Sequence, residues 1–196
     1  FFVDADNLIP PGMIERLLGH DLDIVSGLYF WRTPPHRPAI MGGMVEAAES
    51  GIKDRYGRPT IGFSRQYDGE IMRYVKRYGM TSPEGGLVGP PDADSLLEVD
   101  VGGVGCLLVR RRVFEKLPPP WFRYDRGGTD LEGSEDVAFF LRVREELKEK
   151  VYVDMGAVSG HLTYLPVGVP QYVAVTMANA RAPDGVRPAS TMGGTR

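Results

Sequence analysis

One cysteine, Cys106, stands among 196 residues, so no disulfide can form within the chain and no cysteine-built zinc cluster can assemble. A lone thiol is at home in a reducing compartment. Positive charge is in no excess either. Lysine and arginine number 23 against 26 aspartates and glutamates, a formal charge of −3, which argues against nucleic acid or an anionic membrane held by a general basic field. Long apolar runs are missing as well. The most apolar uncharged stretch, Val101 to Val109, is glycine-rich and too short to cross a bilayer, and the first residues lack the basic region of a secretory signal. These absences point to a cytoplasmic protein with no nucleic-acid partner and no transmembrane segment in this chain, any membrane association being left to segments outside it.

What the chain has in surplus is loop-forming. Its 25 glycines and 16 prolines make up about a fifth of the residues, against roughly 12% in average proteins. Hydrophobic residues at 42% are still enough for a sizeable core, and the length suits one domain. Phe1-Phe2-Val3 reads as the middle or end of a buried strand with nothing in front of it, so residues upstream are expected. Asp4-Ala5-Asp6-Asn7 follows as an acidic turn, and Pro10-Pro11 with Ile14, Leu17 and Leu18 gives a helix. Ile24 to Phe30 is the next strand. From Thr33 to Ser95 the pattern is irregular, an excursion across one face punctuated by Pro34-Pro35, Gly42-Gly43, Gly85-Gly86 and Pro90-Pro91.

Alternation resumes at Leu97, Val99 and Val101, a half-buried strand running into Gly102-Gly103-Val104-Gly105. Cys106 to Val109 is a buried apolar run, after which come Arg110-Arg111-Arg112 and a short helix around Val113 to Leu117 that Pro118-Pro119-Pro120 stops. A loop carrying Trp121, Phe122, Tyr124 and Asp125 leads to Ser134, an N-cap for a helix with Glu135 and Asp136 in its first turn and Val137, Phe140, Leu141 and Leu147 on its buried face. Glu146 and Lys150 are spaced to pair near its end. Val151, Val153 and Met155 open a last strand leading to His161, and residues 182–196 form a flexible tail. The domain proper is thus 1–181.

Several residues could carry chemistry. Asp4 and Asp6, at the carboxyl end of a strand, would point in similar directions from extended backbone and suit Mg²⁺ or Mn²⁺, which would neutralise a diphosphate. The plain alternative is a turn in which Asp6 or Asn7 caps the helix. Asp92-Ala93-Asp94 has the same letters but follows Gly89-Pro90-Pro91, so it belongs to a solvated loop. Asp136, beside Glu135 at a helix N-terminus, would stay ionised and could serve as a general base; helix-dipole compensation is the competing explanation. Trp121 and Tyr124 offer flat faces for a sugar ring, or core packing. His161 could join Asp6 on Mn²⁺, whereas His20 and His36 sit among polar neighbours. The spacing of Gly102 to Gly105 is wrong for a dinucleotide fingerprint, leaving close approach of Gly103 to a ligand or a turn between strands.

The order of these parts resembles a family. Phe-Phe-Val-Asp-Ala-Asp-Asn at 1–7, Val-Gly-Gly-Val-Gly-Cys-Leu-Leu-Val-Arg-Arg at 101–111, Pro-Trp-Phe-Arg-Tyr-Asp at 120–125, Ser-Glu-Asp-Val-Ala-Phe-Phe-Leu-Arg-Val at 134–143 and Val-Asp-Met-Gly-Ala-Val-Ser-Gly-His-Leu at 153–162 resemble, in sequence order, the C-terminal two thirds of a family 2-like glycosyltransferase with the GT-A fold. The resemblance implies an α/β, Rossmann-like mixed sheet flanked by helices, shortened at its N-terminal, nucleotide-binding end. It implies that Asp6 and His161 bind Mn²⁺ or Mg²⁺, with Asp4 nearer the donor ribose or sugar, and that Asp136 is the catalytic base with Glu135 beside it. The implied reaction moves a hexose, with inversion, from a nucleotide sugar such as a UDP- or GDP-sugar to a hydroxyl on a glycan, lipid or protein. A Gln-Xaa-Xaa-Arg-Trp segment is missing, which favours single transfer over processive synthesis.

Two other readings compete. An apolar strand ending in Asp-Xaa-Asp also resembles the first motif of haloacid dehalogenase-like phosphatases, with Asp4 as nucleophile, Asp6 as acid/base and Ser26 as second motif. Against it, the later acidic pair opens a helix where it should close a strand, and no lysine motif is evident. The third reading is a non-catalytic remnant or binding module.

Overall fold

The computed structural model describes residues 1–53, 61–123, 135–163 and 168–181. Its organising element is the eleven-residue strand β9 (Val151–His161), buried along almost its whole length. A strand buried in this way must have the backbone groups of both edges paired. One edge lies parallel to β3 (Ile24–Leu28), with Ser26 opposite Val153. The other edge is antiparallel first to β7 (Leu96–Val99), with Leu97 opposite Val153, and then to β6 (Gly85–Leu87), with Gly86 opposite Val158. The short β2 (Asn7–Leu8) pairs antiparallel with the end of β9, setting Asn7 opposite His161. Beyond β3 the sheet continues antiparallel through β8 (Cys106–Val109) to β1 (Phe2–Val3). A separate pair, β4 (Gly42–Val45) and β5 (Gly62–Arg65), forms a small antiparallel sheet.

Six helices accompany these strands among the described residues: α1 (Met13–Gly19), α2 (Ala47–Ser50), α3 (Asp68–Tyr78), α4 (Arg111–Lys116), α5 (Glu135–Arg142) and α6 (Val169–Arg181). The protein is therefore mixed α/β with a mostly antiparallel sheet flanked by helices, as a mixed sheet was expected; β3–β9 is its one parallel pairing among the described residues. Because β8 runs opposite to both its neighbours, β1, β3 and β9 all point the same way. Their carboxyl ends open on one side of the molecule. The segment 33–95 is less irregular than its prolines and glycines suggest. It supplies α3 and donates β6 to the main sheet.

The strand β1 is exposed, not buried: Phe1, Phe2 and Val3 are all well exposed because β1 is an edge strand paired only with β8. The buried face of α1 is Met13, Arg16 and Leu17, while Ile14 and Leu18, expected inside, face outward. The cause lies in β9. Between Gly27 and Leu28 the register jumps from Asp154 to Val158, so residues 155–157 bulge out of the ladder. A side chain at Gly156 would run into the Arg16 guanidinium, the Val88 carbonyl and the Tyr74 hydroxyl. Through that slot Arg16 reaches Asp154, fully buried, donating from Nε to Oδ2 (2.6 Å) and from Nη2 to Oδ1 (3.0 Å). His20 completes the pairing, its Nε2 lying 2.7 Å from Asp154 Oδ2, so its polar surroundings are a buried network. Arg16 also donates to the carbonyls of Gly89 (2.7 Å) and Pro90 (3.2 Å).

The last helix of the sequence reading differs in its ending. Residues 137–143 are all buried, and α5 passes into a π turn over Val143–Leu147 that Lys148 closes at φ 57°. That turn takes Lys150 off the helix, so Glu146 pairs back to Arg142 (2.6 Å) and Lys150 pairs with Glu98 (2.9 Å). Arg142, itself buried, donates to the carbonyls of Pro120 (2.6 Å) and Pro118 (2.8 Å). The basic run at 110–112 is tied down as well: Arg110 pairs with Asp21 and Arg112 with Asp23. No described helix is long and apolar enough to cross a membrane. Ser134, the expected N-cap of α5, and residues 182–196 lie outside the described residues.

Asp154→Ala would leave Arg16 as a buried charge without its carboxylate, a change that typically costs about 3–5 kcal/mol. Chemical denaturation of the variant is expected to show a loss of that order; a loss below about 1 kcal/mol would mean the buried network does not hold α1 to β9.

Candidate functional site

The carboxyl ends of β1, β3 and β9 carry Asp4, Arg32 and His161. Asp4 and Asp6 do not project from extended backbone. The chain turns immediately after β1, with the Asn7 N–H donating to the Asp4 carbonyl (3.0 Å), so the two aspartates sit in a turn. Neither Asp6 nor Asn7 caps α1, whose N-cap is Gly12. Asn7 is buried in β2, where its Oδ1 accepts from Ser159 (3.3 Å) and its Nδ2 is a buried donor without a partner among the described residues.

His161 ends β9 and is oriented from behind. Its Nδ1 lies 2.8 Å from the Phe30 carbonyl. A carbonyl can only accept, so Nδ1 carries the proton and, in the neutral ring, Nε2 keeps its lone pair. That second nitrogen faces Asp6, with Nε2 to Oδ2 at 3.4 Å. An imidazole held at one nitrogen and open at the other is the arrangement found when histidine binds a metal. Two cis ligands of an octahedral cation stand about 3 Å apart, so this pair is close to the spacing that one shared Mn²⁺ or Mg²⁺ requires. The same Asp6 oxygen also receives Arg32 Nη1 at 2.9 Å. Among the described residues no three His, Cys, Asp or Glu side chains gather as a metal cage. An Asp–His pair therefore leaves the other positions to water and ligand oxygens, as is usual for these hard cations.

The glycine run before β8 organises the rest. Gly105 accepts from the Asp4 N–H at its carbonyl (3.2 Å) and donates its own N–H to the Tyr29 hydroxyl (3.3 Å). A side chain at Gly105 would strike Asn7 and Asp4, and one at Gly103 would strike the Tyr29 ring. Gly103 thus makes room for a protein side chain in this structure. Between them, the Val104 backbone N–H acts on the Asp136 carboxylate and favours its charged form. One short loop accordingly holds the first aspartate and adjoins the carboxylate of α5.

Burial raises the pKa of Asp4, and Asp6 and Glu135 raise it further, against the opposing pull of His161 and Arg32. Asp136 moves more, from 3.8 to about 6, because it is buried and faces Glu135 and Asp4; the Val104 N–H only partly offsets this. At that value Asp136 remains mostly ionised at pH 7, as expected of a carboxylate at a helix N-terminus, though less acidic than an ordinary aspartate. It titrates just below neutrality, which suits a general base better than a lower value would. Tyr29, packed edge-on to His161 at 5.5 Å between ring centroids, is raised by burial.

Other candidates fall elsewhere. Trp121 is half-exposed, donating Nε1–H to the Leu117 carbonyl (2.8 Å) and packing edge-on to Phe114 in a cluster that includes Phe2, Phe122 and Phe139. It joins this aromatic group while keeping part of its surface open. Tyr124 and Asp125 lie outside the described residues. Ser26 is fully buried in β3 against Gly102. Asp92 and Asp94 are exposed, Asp92 accepting from the Ser95 N–H (3.2 Å) and Asp94 pairing with Arg77. Cys106 is buried and its thiol pushed up to about 12, so it is unreactive. The sequence reading missed Arg32 and Tyr29. Their signal was position, at the carboxyl end of a strand bound for the sheet centre.

Fold and site together define a mixed α/β protein with a carboxylate–imidazole cluster at the carboxyl ends of its co-directional strands. No protein-family description matches the chain, and no curated protein matches it. Among solved structures the chain is similar to one described as "Crystal Structure of A197 from STIV", with a TM-score of 0.43 and 16% identity over 82% of this chain and 56% of that one. The chain thus spans a little over half the length of that structure.

The titration of Asp136 has a defined sign. Its folded pKa of about 6 lies above the ordinary 3.8, so the folded state holds this proton more tightly, and the resulting stabilisation is lost as pH rises through about 6. Asp136→Asn is expected to exceed the wild type in stability at pH 7–8 by on the order of 1 kcal/mol, after allowance for solvent screening, and to lose that advantage below about pH 4. Urea unfolding across this range checks it.

Proposed function

We propose that the protein is a metal-dependent glycosyltransferase of GT-A type that moves a sugar from a nucleotide-sugar donor to a hydroxyl acceptor. The observation that carries this reading is the approach of Asp6 Oδ2 to Nε2 of His161 at 3.4 Å, on the side of the sheet where Asp4 and Asp136 also stand. Asp6 and His161 would hold Mn²⁺ or Mg²⁺, which supplies positive charge to a departing nucleoside diphosphate. The buried Asn7 Nδ2, beside Gly105 and Asp4, gives further support, being a donor that lacks an acceptor among the described residues.

The chain's own part is proton handling and orientation. Asp136 takes the proton of the acceptor hydroxyl as the acceptor oxygen bonds to the anomeric carbon and the bond from that carbon to the diphosphate oxygen breaks. Attack from the face opposite the leaving group inverts the configuration. With a pKa near 6, Asp136 is mostly ionised at pH 7 yet basic enough to accept that proton. Glu135 and Asp4 sustain this basicity through their charge. Tyr29 and Gly105 hold the loop that carries Val104, whose N–H favours the charged form of Asp136.

Thermal unfolding with Mn²⁺ plus UDP or GDP should show a rise in Tm for the wild type and none for Asp6→Ala. Phosphate release from a generic phosphomonoester, lost in Asp4→Asn, would favour a phosphatase instead. Asp136→Asn should lower kcat by about 10²–10⁴ while sparing nucleotide binding, and the wild-type rate should fall as pH drops through about 6. Retained turnover in Asp136→Asn would move the base elsewhere.

A further inference from the structure

Arg32 follows β3 on a hairpin whose base is tightly closed. The Trp31 N–H donates to the Arg37 carbonyl (2.8 Å), the His36 N–H donates to the Thr33 carbonyl (3.0 Å), and Phe30 bridges to Pro38. The Arg32 side chain extends from this hairpin, more than half exposed. Its guanidinium rests on Asp6 Oδ2, the oxygen that also faces His161 Nε2. A cation shared by Asp6 and His161 would need that oxygen. The guanidinium and the metal are therefore competitors for a single acceptor.

The competition is one a metal can win. The Arg32 side chain is 56% exposed and that of Asp6 36%, and exposed ion pairs are weak because water screens them. A divalent ion carries twice the charge of a guanidinium to a site where four carboxylates, Asp4, Asp6, Glu135 and Asp136, act on one another. Once displaced, the guanidinium stays tethered to its hairpin beside the cation. A guanidinium has the planar, five-donor geometry that matches phosphate oxygens two at a time.

We infer that Arg32 is a stand-in cation that pairs with Asp6 in the absence of metal and, once a metal displaces it, binds the diphosphate of the incoming donor. This rests on the metal-dependent reading above. It adds a residue that the motif order does not assign, and a defined order of events: metal first, then diphosphate. Arg32 thus opposes metal binding alone and favours metal and diphosphate together. The two effects have opposite signs in one side chain, which a structural role would not produce.

The test measures Mn²⁺ binding by the paramagnetic resonance of the free ion, and then inorganic pyrophosphate binding to the Mn²⁺-loaded protein, in wild type, Arg32→Met and Arg32→Lys. Removing the exposed ion pair in Arg32→Met should tighten Mn²⁺ about two- to fivefold. The same change should weaken pyrophosphate about tenfold through loss of charge-assisted hydrogen bonds, with Arg32→Lys between the two. Unchanged or weaker Mn²⁺ binding in Arg32→Met, or a change in only one of the two affinities, overturns the role of Arg32 and leaves the metal reading standing. Mn²⁺ binding to neither wild type nor variant overturns both. Because the Arg32 side chain is more than half exposed, thermal unfolding of the variants should match the wild type and confirm that folding is intact.

Discussion

A buried strand with a charge in its middle constrains everything around it. In β9 the charge is Asp154, enclosed on a strand whose edges are taken by β3, β7 and β6. An isolated carboxylate there would be prohibitively unfavourable, so the fold must deliver a cation to it, and it delivers Arg16 from α1 with His20 from the following turn. The β9 bulge and Gly156 are the geometric conditions for that delivery. With α1 so anchored, the turn that precedes it, carrying Asp4 and Asp6, is fixed against the other end of the same strand, where His161 stands.

The surplus of proline and glycine finds a related explanation. Proline removes a backbone donor but not an acceptor, so proline-rich turns accumulate carbonyls that their own segment cannot satisfy. Two buried arginines answer this. Arg16 binds the carbonyls of Gly89 and Pro90, and Arg142 those of Pro118 and Pro120. Each guanidinium also engages a carboxylate, Asp154 or Glu146, so its charge is balanced as well as its donors. Loops that looked irregular are thereby attached to the helices and strands that carry the site.

Much of the element order was legible in the sequence. The alternation of Leu97 and Val99, the apolar run at Cys106 and the strand ending at His161 are local patterns, and local patterns survive folding. The proximity of Asp6 to His161 followed from motif order, with nothing in the spacing alone to require it. What could not be read depends on distant partners. Ile14 and Leu18 look like the inner face of α1 until Arg16 is known to turn inward across 138 residues of sequence to Asp154. Likewise the first turn of α5 suggests an ionised Asp136, but the upward shift that its enclosure beside Glu135 and Asp4 produces is not visible in the sequence. A sequence clue to the buried network did exist: a single aspartate within an apolar strand calls for a partner.

The hydrogen bond from His161 to the Phe30 carbonyl reaches further than the tautomer it sets. Phe30 lies at the root of the hairpin that carries Arg32, bridged there to Pro38 and stacked on Tyr172 of α6 at 4.8 Å between ring centroids. The imidazole and the guanidinium that meet at Asp6 therefore share one mounting point. A displacement of that root shifts both sides of the cluster in step, so their mutual spacing is preserved under motions that would separate two independently mounted groups.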